Sequence, residues 1–290
     1  MILRNVKENA IKILLLICAT SSIGIVFFFV ATMVYEGFPI IAQWFLYGFG
    51  MVWDRSSDRF GIIPYIFSTI YVGVGATLLA AALGIPTAIY LAEFANTRLR
   101  NLIKPSLEML TGLPSVVVGL FGFVLIVTFA TRYLGSGLGV LSAWLVLAIM
   151  SLPHIASISE DSIRAVPHSY REAALALGAT KWQTTLRVLL PSAKSGIAAS
   201  VILALGAAVG ETMAVFMVIG GRMTPAITLD PRVTSNVLTV IPALDYGDMG
   251  HSGPLWQAIF AVSFVLFVIV AALNLVTAKI VKGGKKAEGP

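Results

Sequence analysis

The 290-residue chain is 58% hydrophobic and only 12% charged, about half the charged share of an ordinary soluble domain. Its formal charge of +6 comes from scattered basic residues with no aromatic-interleaved basic patch, which excludes a nucleic-acid-binding module. A single cysteine, Cys18, inside an apolar run excludes a disulfide framework, and His154, His168 and His251 are too far apart in sequence to form a metal-ligand motif.

The pattern that remains is that of an all-α membrane protein. After Arg4, Lys7 and Lys12, a charge-free run predicts a first span at 13–35. A secretory leader is the rival reading, but the apolar run is longer than the roughly 7–15 residues of a leader's core and no small-x-small cleavage site follows. Residues 36–64 are expected as an extracytoplasmic loop, with Trp44 and Trp53 lying along the membrane surface. The charge-free run 60–92 exceeds the roughly 20 residues a bilayer needs. Phe60-Gly61-Ile62-Ile63-Pro64 is therefore read as a re-entrant or interfacial lead-in to a second span at 65–92. A short basic loop from Glu93 to Pro105 precedes a third span at 109–131. Arg132 and Gly135-Ser136-Gly137 separate that span from a fourth at 137–158.

The polar stretch 160–194 follows. Pro167 suits a first helical turn, and Tyr170, Ala174 and Leu177 fall on one face at helical spacing. Gly178 is a natural left-handed stop, Thr180 and Gln183 form a capping-box pattern for a second short helix, and Pro191 is expected to close it. Glu172-Ala173-Ala174, Gly178 six residues after the glutamate, and Leu190-Pro191 beyond resemble the EAA signature of bacterial and archaeal ABC importer permeases. The resemblance implies the type I importer permease fold, with six transmembrane helices and this segment as a cytoplasmic coupling helix docked in a groove of a separate ATPase subunit. Glu172, Ala173, Ala174, Gly178, Trp182 and Pro191 would then be the ATPase-coupling residues.

A fifth span is predicted at 195–221, a Pro- and Gly-punctuated extracytoplasmic loop at 222–254 and a sixth span at 255–278, all in one domain, 1–290. Six spans put both termini on the same side of the membrane. That side holds 15 of the 20 lysines and arginines, against Arg55, Arg59, Arg132, Arg222 and Arg232 on the other. The positive-inside rule places both termini and the coupling segment in the cytoplasm of a multi-pass protein of the inner cell membrane. In the 222–254 loop, four prolines (Pro225, Pro231, Pro242, Pro254) give a shaped surface, and Arg222, Asp230, Arg232, Asp245 and Asp248 are expected to meet a binding protein.

The pattern G-x-x-x-x-G-K-[ST] is absent, so ATP and its magnesium are expected on a partner ATPase and no cofactor on this chain. No catalytic residue and no metal site is assigned. The informative intramembrane residue is Glu211, whose carboxylate costs several kcal/mol there unless it faces a cavity or a partner. On a continuous helix Ala204, Ala207, Ala208 and Ala214 share its face, and Gly206 with Gly210 adds a close-packing pattern.

Gly210-Glu211-Thr212-Met213-Ala214-Val215 resembles the corresponding helix of the phosphate-uptake ABC permeases. Leu113-Pro114-Ser115 through Gly122 is similar to the P-S-[IV]-V-x-G element of the same family, and Phe60–Pro64 to the lead-in of its larger permease subunit. The resemblance implies a second permease subunit, an ATPase dimer, an extracytoplasmic phosphate-binding protein, and phosphate passing Glu211, Thr212 and Ser115. The family usually carries an arginine four residues before this glutamate, where the chain has Ala207. A lone carboxylate would repel a phosphate dianion, so the second subunit supplies a cation, or Glu211 is protonated, or the substrate differs. The Ser115 and Thr212 hydroxyls can bond an oxyanion and can equally satisfy helix backbone. The rivals are a permease for molybdate or tungstate and an ion-coupled carrier or channel using Glu211.

Overall fold

A computed structural model describes residues 2–221, 227–245, 247, 250 and 252–287. Arg222, Pro225, Asp248 and His251 of the sequence reading lie outside them. Among the described residues, six stretches are long and apolar enough to cross a membrane: Ile11–Tyr47, Ile63–Phe94, Ser115–Leu134, Val140–Arg164, Lys181–Gly210 and Pro254–Ile280.

The first helix, α1 (Ile2–Tyr47), runs well beyond the predicted 13–35 and carries Pro39 inside it. Its end packs on α11 (Pro254–Ala287), where a β-carbon at Gly37 would lie 2.7 Å from the Ala261 backbone nitrogen. A two-stranded antiparallel hairpin follows, β1 (Trp53–Asp54) with β2 (Arg59–Phe60). Trp44 and Trp53 do not lie along the surface. They are buried with Ile40, Phe60, Ile62, Tyr65 and Ala261, and Trp44 Nε1 donates to the Phe60 carbonyl at 2.8 Å. Buried aromatic rings remove a large area from water, and the Trp44 indole N–H keeps an acceptor inside the cluster.

Helix α2 (Ile63–Ile89) has Pro64 in its first turn, where no N–H is missed, and opens into a wide π turn at Tyr90–Phe94. It packs on α5 (Val140–Arg164) and α8 (Leu190–Gly210). Small residues let these backbones approach: a β-carbon at Gly84 would lie 3.1 Å from Ile155 Cγ2. Val72, Ala76, Val146, Leu147, Val215, Val218 and Ile219 form the main core where these helices meet.

Three boundaries differ from the expected ones. The stretch read as a basic loop contains a helix, α3 (Thr97–Thr111), started by Asn96, whose Oδ1 accepts from the Leu99 N–H at 2.7 Å. The third span therefore begins only at α4 (Ser115–Phe121), which continues through wide π turns to Leu134. The fifth span starts early, because Pro191 does not end a helix. The π turn Thr185–Leu189 absorbs the proline's missing N–H and steric bulk, and the chain stays helical from α7 (Lys181–Thr184) into α8.

The 222–254 stretch is also more than a loop over the surface. Ser235 through Ile241 are all buried, reaching α10 (Val240–Asp245). Irregular backbone at that depth needs internal partners. Leu238 N–H donates to Thr69 Oγ1 at 2.9 Å, Ser235 N–H to the Ile219 carbonyl at 3.1 Å, and the Ser68 and Ser235 hydroxyls pair at 2.8 Å.

Candidate functional site

The coupling segment forms α6 (His168–Ala176) followed by a sharp reversal into α7. Gly178 makes the reversal with φ +83, a conformation other residues adopt only at a cost. Ala179 N–H then reaches the Ala174 carbonyl at 3.1 Å and Gly178 N–H the Leu175 carbonyl at 2.9 Å, the paired bonds of a Schellman closure. Both halves of the Thr180–Gln183 capping box are made.

Between α6 and the start of the fifth span lies a groove of about 780 Å³, lined by Tyr170, Ala173, Leu177, Gly178, Gln183 and Arg187 among others. Leu177 at its edge is 89% exposed. Glu172 and Ala173 are exposed, whereas Ala174 is buried as a packing residue. Trp182 is half exposed with its ring 5.9 Å from that of Phe94. Pro191 is exposed on the helix beyond, away from the reversal.

Glu93 and Arg171 were not singled out in the sequence. The Glu93 carboxylate, almost wholly buried at the end of α2, accepts from Arg171 Nη2 at 2.5 Å. This ion pair fixes α6 to the second span. The signal available was a single carboxylate at the end of an apolar run, facing the basic residue of the E-A-A helix 78 positions on.

The second site lies deeper. The fifth span is not continuous: α8 stops at Gly210, Glu211 is extended (φ −71, ψ 129), and a separate helix, α9 (Met213–Val218), begins after Thr212. The expected face around Glu211 is corrected accordingly. Ala204 and Ala208 are buried, Ala207 and Gly210 are exposed, and Ala214 belongs to the other helix. Gly210 followed by a polar pair in an apolar run is the stop-and-cap signal that marks such a break. Glu211 Oε1 accepts from the Ala214 N–H at 3.2 Å, and Thr239 Oγ1 donates to the Glu211 carbonyl at 3.0 Å. The carboxylate thus satisfies the start of α9, and the buried 235–241 segment satisfies the end of α8.

A second break lies just before the third span. Helix α3 ends at Thr111, and Pro114 (φ −58, ψ 131) stands before Ser115 and α4. Helices α4 and α9 pack together, with Gly119 so close that a β-carbon would lie 2.8 Å from Ala214 Cα. Both run away from the end of the bundle that carries α6, since α3 lies on the last turns of α5 and α8 continues from α7. Ser115 is four residues before Gly119 and Glu211 three before Ala214. At the helical rise, the two breaks differ in depth by about 1.5 Å. Ser115, Glu211 and Thr212 are all half-buried there.

A break in the fifth span, a second at the same level just before the third, and a capped helix–turn–helix at one end form an arrangement suited to a membrane transport subunit. The chain belongs to the family of binding-protein-dependent transport system inner membrane components, whose model matches residues 84–282. It is a multi-pass membrane permease of the ABC importer type. More particularly, it is similar to the phosphate transport system permease protein PstC of Xylella fastidiosa (strain 9a5c), 32% identical over 247 residues, with 77% of this chain and 74% of that protein covered. It is 37% identical over 216 residues to the probable ABC transporter permease protein YqgH of Bacillus subtilis (strain 168), covering 74% of this chain and 69% of that protein. The fold matches inward-facing MetNI methionine ABC transporter structures with a TM-score of 0.63 at 19% identity, over 80% of this chain and 99% of that one.

Proposed function

We propose that this chain is the phosphate-translocating permease subunit of an ATP-driven importer in the inner cell membrane. Both termini and α6 face the cytoplasm. The observation that carries the reading is the pairing of the two breaks at one depth. A partner ATPase dimer, which binds ATP and magnesium, engages Glu172, Ala173, Gly178 and Trp182, with Ala174 packed beneath that surface and Pro191 on the helix beyond it. A binding protein delivers phosphate from outside, and a second permease subunit completes the path beside Ser115, Glu211 and Thr212. Similarity to PstC supports phosphate as the cargo.

Glu211 bears on how an anion passes. The only bond its carboxylate makes among the described residues is to the Ala214 N–H, and Ala207 offers no charge one turn earlier. Helix starts and hydroxyls at the two breaks present donors to an oxyanion. A cation contributed by the second subunit would offset the carboxylate.

The test is uptake by the complex purified through this chain with its partners and reconstituted in liposomes. ATP-dependent accumulation of labelled phosphate is expected, dependent on the binding protein. Stronger competition by molybdate or tungstate than by phosphate would reassign the cargo to another oxyanion. Uptake by this chain alone, driven by an ion gradient, would make it a carrier and overturn the importer reading.

A further inference from the structure

Glu160 is fully buried near the end of α5 and accepts from Arg100 Nε at 2.8 Å and from Lys104 Nζ at 2.6 Å. Lys104 also pairs with Asp161, and Arg164 Nε stands 3.6 Å from Glu160 Oε1. Burial by itself would lower the Lys104 pKa, but Asp161 and Glu160 outweigh it and hold the ammonium above its ordinary value. One carboxylate therefore gathers two cations from α3 and a third from its own helix. A buried ion pair is often no better for stability than apolar packing of the same volume.

Its position gives it a use. Helix α3 buries none of its own residues, and its main packing partner among the described residues is α5. Polar contacts to residues 157–161, including Ser157 Oγ donating to Glu108 Oε1 at 3.2 Å, join the half-buried Leu99, Ile103 and Leu107 on the face by which α3 meets the bundle. At one end of this link, α5 leads through Pro167 directly into α6. At the other, α3 leads through Pro114 into Ser115 and the deep break. A rigid helix tied at one point follows the element it is tied to.

We propose that Glu160 is a positioning residue, clamping α3 to the end of α5 so that displacement of α6 by the ATPase moves the 112–115 break. The proposal rests on the importer reading above and adds to it the route by which ATP-driven motion reaches the path. Glu172 and its neighbours receive the motion, and Glu160 passes it sideways to the third span.

The experiment compares wild type and Glu160→Gln in the reconstituted complex, reading ATP hydrolysis stimulated by the binding protein and anion uptake in the same vesicles. Glutamine keeps the shape and one acceptor but cannot balance two cations. Uptake per ATP is expected to fall about ten-fold, a usual size for coupling between sites, while stimulated hydrolysis and subunit assembly stay within about two-fold. A second variant adds Glu108→Cys and Ser157→Cys in a Cys18→Ser background, bridged by a short bis(methanethiosulfonate) reagent that forms a disulfide with each thiol, releases methanesulfinate and reattaches α3 to α5. Bridging is expected to restore uptake per ATP in Glu160→Gln. Unchanged uptake per ATP in Glu160→Gln, or a loss that bridging does not restore, overturns the clamp. A wild-type complex that hydrolyses ATP but moves no anion overturns the importer reading instead, and the clamp with it.

Discussion

Gly119 on α4 faces Ala214 on α9 with no room for a side chain: a β-carbon there would meet Ala214 Cα at 2.8 Å and Met217 Sδ at 3.0 Å. The obstacle is partly backbone, so the two helices must part to admit even a methyl group. Gly119→Ala is expected to cost about 1–3 kcal/mol, as overpacking of a tight contact does. Because the contact sets the two breaks beside one another, uptake should fall further than thermal stability in detergent accounts for. Equal losses in both would mean that the contact is only structural.

Gly178 presents the opposite case. Its φ is +83, yet no atom lies within 4 Å of where a β-carbon would point. Substitution there strains the backbone without meeting anything in this chain. Asparagine and aspartate tolerate this conformation better than other residues, so Gly178→Asp should insert and fold, at a cost of about 1–2 kcal/mol or less. Its carboxylate would project outward from the reversal, onto the surface assigned to the ATPase. Loss of ATPase co-purification is expected for Gly178→Asp and largely normal co-purification for Gly178→Asn. Normal ATPase recovery and transport with Gly178→Asp would remove this turn from the interface.

The charges expected to meet a binding protein divide in the structure. Asp245 is buried and paired with Arg55 of the hairpin loop, so it ties α10 to the 53–60 hairpin. Asp230 and Arg232 are exposed, with the Asp230 carboxylate occupied in part by the Arg232 backbone N–H at 3.0 Å. Reversal by Arg232→Glu should weaken binding-protein docking chiefly through slower association at low salt, an effect that added salt suppresses. Asp245→Asn should lower stability by about 1–3 kcal/mol, less than a fully buried pair because Arg55 is 28% exposed. Surface plasmon resonance at two salt concentrations separates the two. An Asp245→Asn variant of full stability but weak docking would reverse the assignment.

The sequence carried the local chemistry of this protein further than its geometry. Gly178, Thr180 and Gln183 were legible because each does its work through neighbouring backbone, within a turn or two. The six apolar runs were legible because a bilayer demands length and hydropathy, which composition records directly. What stayed hidden depends on partners far away in the chain. Glu93 meets Arg171, and Glu160 meets Arg100 and Lys104 across 60 and 56 residues, so no local pattern marks them. The break at Glu211 was missed for another reason. A charge in an apolar span reads as an insertion into a continuous helix, although the Gly-Glu-Thr order also writes a stop and a cap. The buried 235–241 segment was hidden because polar serine, asparagine and threonine look like surface loop until their acceptors and donors on α2 and the fifth span are placed.

Glu211 remains the residue on which the transport reading turns. Its carboxylate caps α9 through the Ala214 N–H, and Thr239 holds its carbonyl, so the break has two supports besides charge. Glu211→Gln keeps an acceptor for Ala214 while removing the charge, and Glu211→Ala removes both. If the carboxylate serves only the cap, the glutamine variant should transport normally and the alanine variant should lose about 0.5–2 kcal/mol of stability. If instead it answers a cation from the second permease subunit, glutamine should leave assembly intact and still change uptake, because the freed cation would hold the anion longer. Uptake per assembled complex is then expected to fall for Glu211→Gln with assembly unchanged, at each of two pH values. A proton-coupled site would behave differently, since the mutant would lose a pH dependence that the wild type shows. Wild-type rates from Glu211→Gln at both pH values would confine Glu211 to capping and leave the cation, and the gate, to other residues.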